Sequence, residues 1–508
     1  MRSKKAIFNI LTSLGLQFIR VIYGFIVPKI IIGQFGSDVN GLISSITQFL
    51  AYIALLESGF GPVVRSVLYK PIAKNDAKQI EGILKSSESF FRKISMVFVG
   101  YIVVLIFVYP RIVNSNFDYF FTISLLIIIS ISTFAEYYFG MTYRLFLQAD
   151  QKTYIISIIQ IVLYIINIFI VVLLARLNAS IQMIKLVTGF VFVLRPILQN
   201  LYVKSHYDIH LKHVEEKVNI EQKWDGLAQH IAAVIHGNTD ITVLSIFSTM
   251  AEVSVYSVYL LVVNGVKNIV LSLSSGIDAS WGDMMARGER ENLNRKFNMY
   301  EVIYHTMNTI IFTCTIVLII PFLTVYTKKF VDADYIRPLF GTLLVISEYI
   351  WAVRLPYSSI IIAAGHFKQT RIGAWVECLV NIVLSVILVR RHGIVGVAIG
   401  TIVAMSLRTI EFIYHTNTHI LHRNVLESFK KVFLVIVETA LVMFIARFLP
   451  MKENISYLYW ILNAIIVFIS TTLIVGIINF IFYRDEFSLF IKSMRNTLKR
   501  KKEIYLTI

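Results

Sequence analysis

Apolar residues occur in this chain in runs of about 18 residues or more, each long enough to cross roughly 30 Å of hydrocarbon as a helix. Short polar segments separate the runs and carry most of the charge. On this pattern we predict about 14 membrane-spanning helices in an all-α polytopic membrane protein. The predicted spans begin near Asn9, Asn40, Ile94, Tyr119, Tyr154, Ile181, Gly226, Glu252, Val302, Pro338, Ile372, Ile394, Val432 and Tyr457.

The composition agrees with this pattern, and the distribution of charge predicts the orientation. Of the 508 residues, 56% are hydrophobic and 16% are charged, whereas a soluble domain has about 25% charged residues. Most of the 48 lysines and arginines fall in the two termini and in the loops that follow even-numbered spans, such as residues 69–93 after the second span. The positive-inside rule therefore predicts that both termini are cytoplasmic. The net charge of +17 follows from this topology and from anionic headgroups, so we predict no nucleic-acid partner.

The chain also contains an internal repeat. Four pairs of segments match: LYIINIFIVVLL with CLVNIVLSVIL, LQADQKTY with AAGHFKQTR, the segment at Gly59 with that at Gly276, and FGSDVNGLIS with FSTMAEVSVYS. The pairs occur in the same order at a nearly constant offset, which predicts two parallel six-helix repeats in a two-lobed transporter. The predicted parts are an N-terminal lobe at 1–205, a cytoplasmic linker at 206–225, a C-terminal lobe at 226–425, two additional helices at 426–483 and a basic cytoplasmic tail at 484–508.

Three motifs point to a known family. They are the junction KIIIGQFGSDVNGLISSI, the stretch GFGPVVRSVLYKPIAKNDAKQIEGIL, and the openings QADQKT and GHFKQT of the fifth and eleventh spans. The set resembles the multidrug/oligosaccharidyl-lipid/polysaccharide exporter superfamily and, within it, the polysaccharide-type (Wzx-like) oligosaccharide flippases.

The resemblance implies a function and a location. Two six-helix lobes would rock about a central cavity and move an undecaprenyl-diphosphate-linked oligosaccharide to the outer leaflet of the bacterial cytoplasmic membrane. The product would serve the assembly of a cell-surface polysaccharide such as O-antigen, capsule or a teichuronic-type polymer. The implied partners are this lipid-linked substrate, the membrane lipids, H⁺ or Na⁺, and the polysaccharide polymerase machinery; no cofactor is expected.

Four basic residues are candidate substrate-binding groups: Arg20, Lys267, Arg354 and Arg65. The first three fall nearest the middle of predicted spans, where a charge costs roughly 2.5–3.5 kcal/mol on insertion scales. A diphosphate would compensate that cost, because an arginine fork matches phosphate geometry and a lysine supplies a point charge. The alternative is that each cation only pairs with a carboxylate in the membrane, such as Glu57, Glu136 or Glu348. For the cations nearer span ends, we expect the side chains to reach the interface: Arg65, Arg144, Lys185, Arg195 and Arg408.

Other polar groups and helix breakers in the spans suggest coupling and hinge sites. Protonatable groups at membrane depth are used for coupling to H⁺ or Na⁺, and the candidates are Asp240, Glu57, His236 and Asp278. The alternative for the His236–Asp240 pair is a hydrogen bond across helices. Residues that interrupt a span are candidate hinges: Gly59, Gly61, Pro62 and Gly276. No metal site is predicted.

Three other functions compete with the flippase. One of them, a non-transporting scaffold for the polysaccharide machinery, would not need charges within the spans. A multidrug cation/H⁺ or Na⁺ antiporter of the same superfamily would need an acidic cavity. Near the middle of the predicted spans, however, basic residues count for at least as much as acidic ones. A polytopic glycosyltransferase or polymerase has weak support, because the outer loops are short and the one Asp-x-Asp motif is DAD at 332–334. We therefore expect a transporter and not an enzyme.

Overall fold

The protein is built from helices. The computed structural model describes residues 2–57, 59–113, 116–209, 224–274, 277–450, 456–493 and 495, and these residues contain no strand. The helices are α1 (Arg2–Phe35), α2 (Ser37–Ala51), α3 (Ala54–Glu57), α4 (Phe60–Lys74), α5 (Ala77–Ile112), α6 (Tyr119–Ala135), α7 (Met141–Ala149), α8 (Thr153–Arg176), α9 (Ile181–His206), α10 (Trp224–Phe247), α11 (Met250–Ser274), α12 (Asp278–Ala286), α13 (Arg290–Tyr326), α14 (Pro338–Ala363), α15 (Phe367–His415), α16 (Val425–Ala446) and α17 (Tyr457–Phe482). Two π-helical segments, Glu136–Gly140 and Thr416–Ile420, follow α6 and α15. The predicted all-α class is confirmed.

Many of these helices are suited to a membrane. Within the described residues, 11 segments are long and apolar enough to cross a bilayer. One of them, Phe367–Ile420, consists of two helices joined at Gly393, whose φ of 54° interrupts the helical backbone. Helices α10 and α16 have 24 and 22 residues but carry more polar side chains, and they are not among these segments. The chain is a multi-pass membrane protein, and the count of about 14 spans stays a prediction.

The segment predicted as a basic loop at residues 69–93 is almost entirely helical. Helix α4 continues to Lys74, and Asn75 ends it in the left-handed conformation with φ of 52°. Asp76 then caps α5, since its Oδ1 accepts a hydrogen bond of 3.1 Å from the Gln79 backbone N–H. Hydropathy detects only the apolar part of such a helix, and α5 therefore begins at Ala77 rather than near Ile94.

The stretch FGSDVNGL (residues 35–42) of the junction motif places α2 against the start of α11. Gly36, with φ of 88°, makes the turn from α1 to α2 in a conformation that favours glycine. A Cβ atom at Gly41 would lie 1.8 Å from the Met250 carbonyl oxygen, so only glycine allows this close approach. Asp332 caps α2 by accepting hydrogen bonds from the Ser37 backbone N–H at 2.5 Å and from its hydroxyl at 2.9 Å. The first aspartate of DAD therefore has a structural role.

Contacts of two aligned asparagines support the internal repeat. Asn167 in α8 donates to the Thr188 carbonyl oxygen of α9 at 3.2 Å. Its counterpart Asn381 donates to Thr401 Oγ1 across the Gly393 turn at 3.0 Å. Both asparagines are fully buried. An amide in an apolar helix needs a partner, and in both halves of the chain a threonine about 20 residues further on supplies the acceptor.

The chain forms two compact units. The first contains Met1–Leu261, Lys329–Asp334 and Ile382–Val397. The second contains Val262–Lys328, Tyr335–Asn381 and Ala398–Ile508. The domain boundaries predicted from the repeat, at residues 205, 226, 426 and 484, stay a prediction.

Candidate functional site

Arg20 is the first of the candidate cations and has a neutral partner. It lies in α1, within a segment apolar enough to span a membrane, and its side chain is exposed. Its Nη2 donates to Oε1 of Gln160 in α8 at 3.3 Å. Gln160 is 9% exposed, so α1 and α8 hold it in place. No carboxylate among the described residues lies within ion-pair distance of Arg20. Gln160 therefore holds the guanidinium in position without neutralising its charge.

Arg65 shows the same arrangement on other helices of the first unit. Its Nη1 donates to Oε1 of Gln148 in α7 at 3.4 Å. The side chain is partly exposed, and no described carboxylate forms an ion pair with it. An amide oxygen leaves the net charge of the guanidinium intact, because it accepts a hydrogen bond and carries no formal charge.

Lys267, in α11 of the second unit, is paired with an acid. Its Nζ lies 2.7 Å from Oε2 of Glu348 in α14, and the two side chains are 24% and 10% exposed. The same ammonium lies 4.5 Å from the centre of the Trp351 ring, in cation–π geometry. These contacts correspond to the alternative given for this lysine above, namely pairing with an intramembrane carboxylate.

Arg354 belongs to a chain of alternating charges in the second unit. Its Nη1 is 2.7 Å from Oε1 of Glu377. The other oxygen of Glu377 is 3.7 Å from Nε of Arg408, and Nη1 of Arg408 is 2.6 Å from Glu411 Oε2. Each arginine in this network therefore has a carboxylate partner. The Arg408 side chain is 4% exposed, so the expectation that it reaches the interface was wrong.

Arg144 and Arg195 pair with one shared carboxylate, and the expectation that they reach the interface stays a prediction. Arg144 Nη1 lies 3.0 Å from Oε1 of Glu136, and Arg195 Nη2 lies 2.7 Å from Oε2 of the same carboxylate. Glu136 begins the π-helical segment after α6, and such segments widen a helix locally. Sequence reasoning missed this triad because Arg195 comes from α9, which is remote in sequence from Glu136 and Arg144.

The candidate coupling acids have hydroxyl partners. Tyr137 Oη donates to Glu57 Oε2 at 3.2 Å, and Tyr256 Oη donates to Asp240 Oδ2 at 2.6 Å. His236 lies on α10 one turn before Asp240. Asp278 is the first residue of α12, and its side chain lies outside the described part. A role in ion coupling stays a prediction for all four.

The predicted hinge coincides with a real interruption. Helix α3 ends at Glu57, and α4 begins at Phe60 after Gly59, which has φ of 80°. Gly61 is buried in the first turn of α4, next to the exposed Pro62. Gly276 lies outside the described residues. The break is part of the fold, and its use as a hinge stays a prediction.

Solved structures of three membrane transport proteins share this fold. A lipid II flippase, MurJ, in an inward closed conformation matches with a TM-score of 0.67 and 15% identity over 94% of this chain and 99% of the flippase. An inward-facing MATE multidrug resistance transporter matches with a TM-score of 0.61 and 11% identity, over 83% and 99% of the two chains. A MATE transporter of Vibrio cholerae, VcmN, gives 0.58 and 15% over 83% and 98%.

The chain shares its fold with these transport proteins. The similarity covers most of the chain and nearly all of each transporter, and it confirms the fold that the motifs suggested. No family model matches the sequence, and no curated protein matches it significantly. Membership of the exporter superfamily, and of its polysaccharide-type branch, therefore stays a proposal.

The partners of the candidate cations could not be found from the sequence. Gln148 and Gln160 have no local signal, since each lies in a helix remote in sequence from the arginine that it contacts. The distinction between arginines with amide partners and cations with acid partners comes only from the folded chain.

Proposed function

We propose that this protein is a flippase that moves an undecaprenyl-diphosphate-linked oligosaccharide across the bacterial cytoplasmic membrane for cell-surface polysaccharide assembly. The single observation that carries the proposal is the pair of arginines in the first unit, Arg20 and Arg65, that have glutamine partners and no acid partner in the described residues. The fold, shared with a lipid II flippase, supports it. The proposed orientation has both termini in the cytoplasm.

The chemistry of the two arginines suits a diphosphate. A guanidinium donates paired hydrogen bonds to phosphate oxygens. A phosphate reaching Arg20 has to replace only a 3.3 Å contact to a neutral amide, whereas at Arg354 it would have to displace a carboxylate at 2.7 Å. Charge-assisted hydrogen bonds contribute about 1.5–3 kcal/mol each, which corresponds to about ten- to a hundredfold in affinity.

The test is complementation of a deletion strain, read out as the lipid-linked oligosaccharide that accumulates on the cytoplasmic side. Arg20→Ala should reduce export about tenfold or more with normal amounts of folded protein in the membrane. Arg20→Lys should retain part of the export, because the positive charge remains while the paired N–H donors of the guanidinium are lost. Arg287→Ala is the matched control, since Arg287 is 65% exposed and its ion pair within the described part of the chain is with Asp283, one turn away. Normal export with Arg20→Ala would refute the proposal.

A multidrug exporter is the competing function, because the chain is also similar in fold to MATE transporters. An exporter of organic cations gains nothing from arginines that lack acid partners, because like charges repel. The same deletion strain decides between the two. Accumulated lipid-linked glycan with unchanged drug susceptibility supports the flippase, and increased susceptibility without accumulated glycan supports the exporter.

A further inference from the structure

Three aromatic rings from three helices of the first unit meet next to Arg20. Tyr23 of α1 and Tyr164 of α8 have ring centroids 4.9 Å apart at 57°. Phe192 of α9 packs edge-on against both rings, at 6.0 and 5.5 Å. All three side chains are partly exposed. We call these three residues the aromatic cluster.

The aromatic cluster and Arg20 share one face of the α1–α8 pair. Tyr23 follows Arg20 by three residues, and Tyr164 follows Gln160 by four, which places each pair on one side of its helix. At 1.5 Å of rise per residue, the ring pair lies about 5 Å along the helices from the contact between Arg20 and Gln160. Two successive cross-helix contacts, one cationic and one aromatic, therefore lie one helical turn apart.

Two members of the aromatic cluster, Tyr23 and Tyr164, carry hydroxyl groups. Neither Tyr23 Oη nor Tyr164 Oη has a hydrogen-bond partner among the described residues. Two buried tyrosines on other helices do have one, since Tyr109 donates to Ser45 Oγ at 2.7 Å and Tyr349 donates to Thr309 Oγ1 at 2.6 Å. A partly buried phenol normally finds a partner. The two hydroxyls beside Arg20 are thus free to bond with a ligand.

The geometry points to a sugar site: the aromatic cluster binds the first sugar of the lipid-linked substrate while Arg20 binds its diphosphate. This inference rests on the proposed function. The first sugar is bonded through oxygen to the second phosphorus, so a group that holds it has to lie close to the group that holds the phosphate. The C–H face of a pyranose packs against aromatic rings, and its hydroxyls pair with the two tyrosine hydroxyls. A prenyl chain on the same rings would leave those hydroxyls without partners.

Two lipid probes that differ only in the sugar test the inference. The full-length protein in nanodiscs is titrated with undecaprenyl diphosphate and with undecaprenyl diphosphate carrying one N-acetylglucosamine. The double variant Tyr23→Phe/Tyr164→Phe keeps both rings and removes both hydroxyls. It should weaken binding of the sugar-bearing lipid about three- to tenfold and leave binding of the bare lipid unchanged. Tyr69→Phe, on the exposed surface of α4, is the matched control and should affect neither probe.

The outcomes separate this inference from the proposed function. An equal loss for both probes, or no loss for either, would overturn the sugar site. Arg20→Ala should weaken both probes, since they share the diphosphate. If Arg20→Ala weakens both probes and the tyrosine variant changes neither, only the sugar site fails. If Arg20→Ala changes neither probe, the proposed diphosphate contact fails as well.

Discussion

The ion pair between Lys267 and Glu348 allows a direct test of whether a predicted substrate-binding residue has a structural role instead. Lys267→Met removes the ammonium and leaves the Glu348 carboxylate, which is 10% exposed, without its counter-charge. Breaking a buried ion pair on one side costs about 3–5 kcal/mol. Because the lysine itself is 24% exposed, solvent screens part of this interaction, and we expect about 2–3 kcal/mol.

Adding Glu348→Gln should restore the stability lost by Lys267→Met if Lys267 serves only to neutralise Glu348. Lys267→Met/Glu348→Gln leaves no unpaired charge, and neutral replacements of buried ion pairs are often close to the parent in stability. We therefore expect the double variant to regain most of the stability lost by Lys267→Met. Glu348→Gln alone should be milder, because the remaining ammonium is partly exposed and stays over the Trp351 ring at 4.5 Å.

The measurement is the apparent melting temperature of the purified protein in detergent, followed by tryptophan fluorescence, together with export in the deletion strain. The control pair Arg287→Ala and Asp283→Asn is 65% and 59% exposed and should change the melting temperature very little. Recovery of both stability and export in the double variant would show that Lys267 only pairs with Glu348. If Lys267→Met melts normally and the double variant stays inactive in export, this reasoning is wrong and direct substrate contact by Lys267 is favoured.

Three further predictions concern the fold. Gly41→Ala would put a methyl group 1.8 Å from the Met250 carbonyl oxygen. We expect about 1–3 kcal/mol of destabilisation, measured as a lower melting temperature. The control Gly100→Ala should not destabilise the protein, because no other part of the chain lies within 4 Å of the added methyl group. Gly59→Ala places a side chain at φ of 80°, which costs about 1 kcal/mol, and it should slow export while the protein still reaches the membrane; unchanged export would argue against a hinge there. A reporter fused after Lys78 should be cytoplasmic, and an outside signal would reverse the predicted topology.

The course of the helices was predictable from the sequence, because hydropathy measures the one property that a bilayer requires of a spanning segment. Helices α6, α9, α14 and α17 begin at predicted residues. Helix α5 begins earlier than predicted, since its first turns are basic and amphipathic and hydropathy does not detect them. The partners of the charged side chains were not predictable in the same way. Whether an arginine contacts a glutamate or a glutamine depends on which helix faces which, and that is decided by packing far along the chain.

The partners of the cations narrow the search for the substrate contact. Lys267 and Arg354 each lie 2.7 Å from a carboxylate, so an incoming phosphate would have to compete with an anion already in place. Arg20 and Arg65 are held by amide oxygens at 3.3 and 3.4 Å, which fix the direction of the fork and leave its charge available. Since binding strength depends on what is displaced as well as on what is formed, a diphosphate gains most at the two arginines of the first unit. Substitutions there should therefore weaken diphosphate binding more than substitutions at Lys267 or Arg354 do.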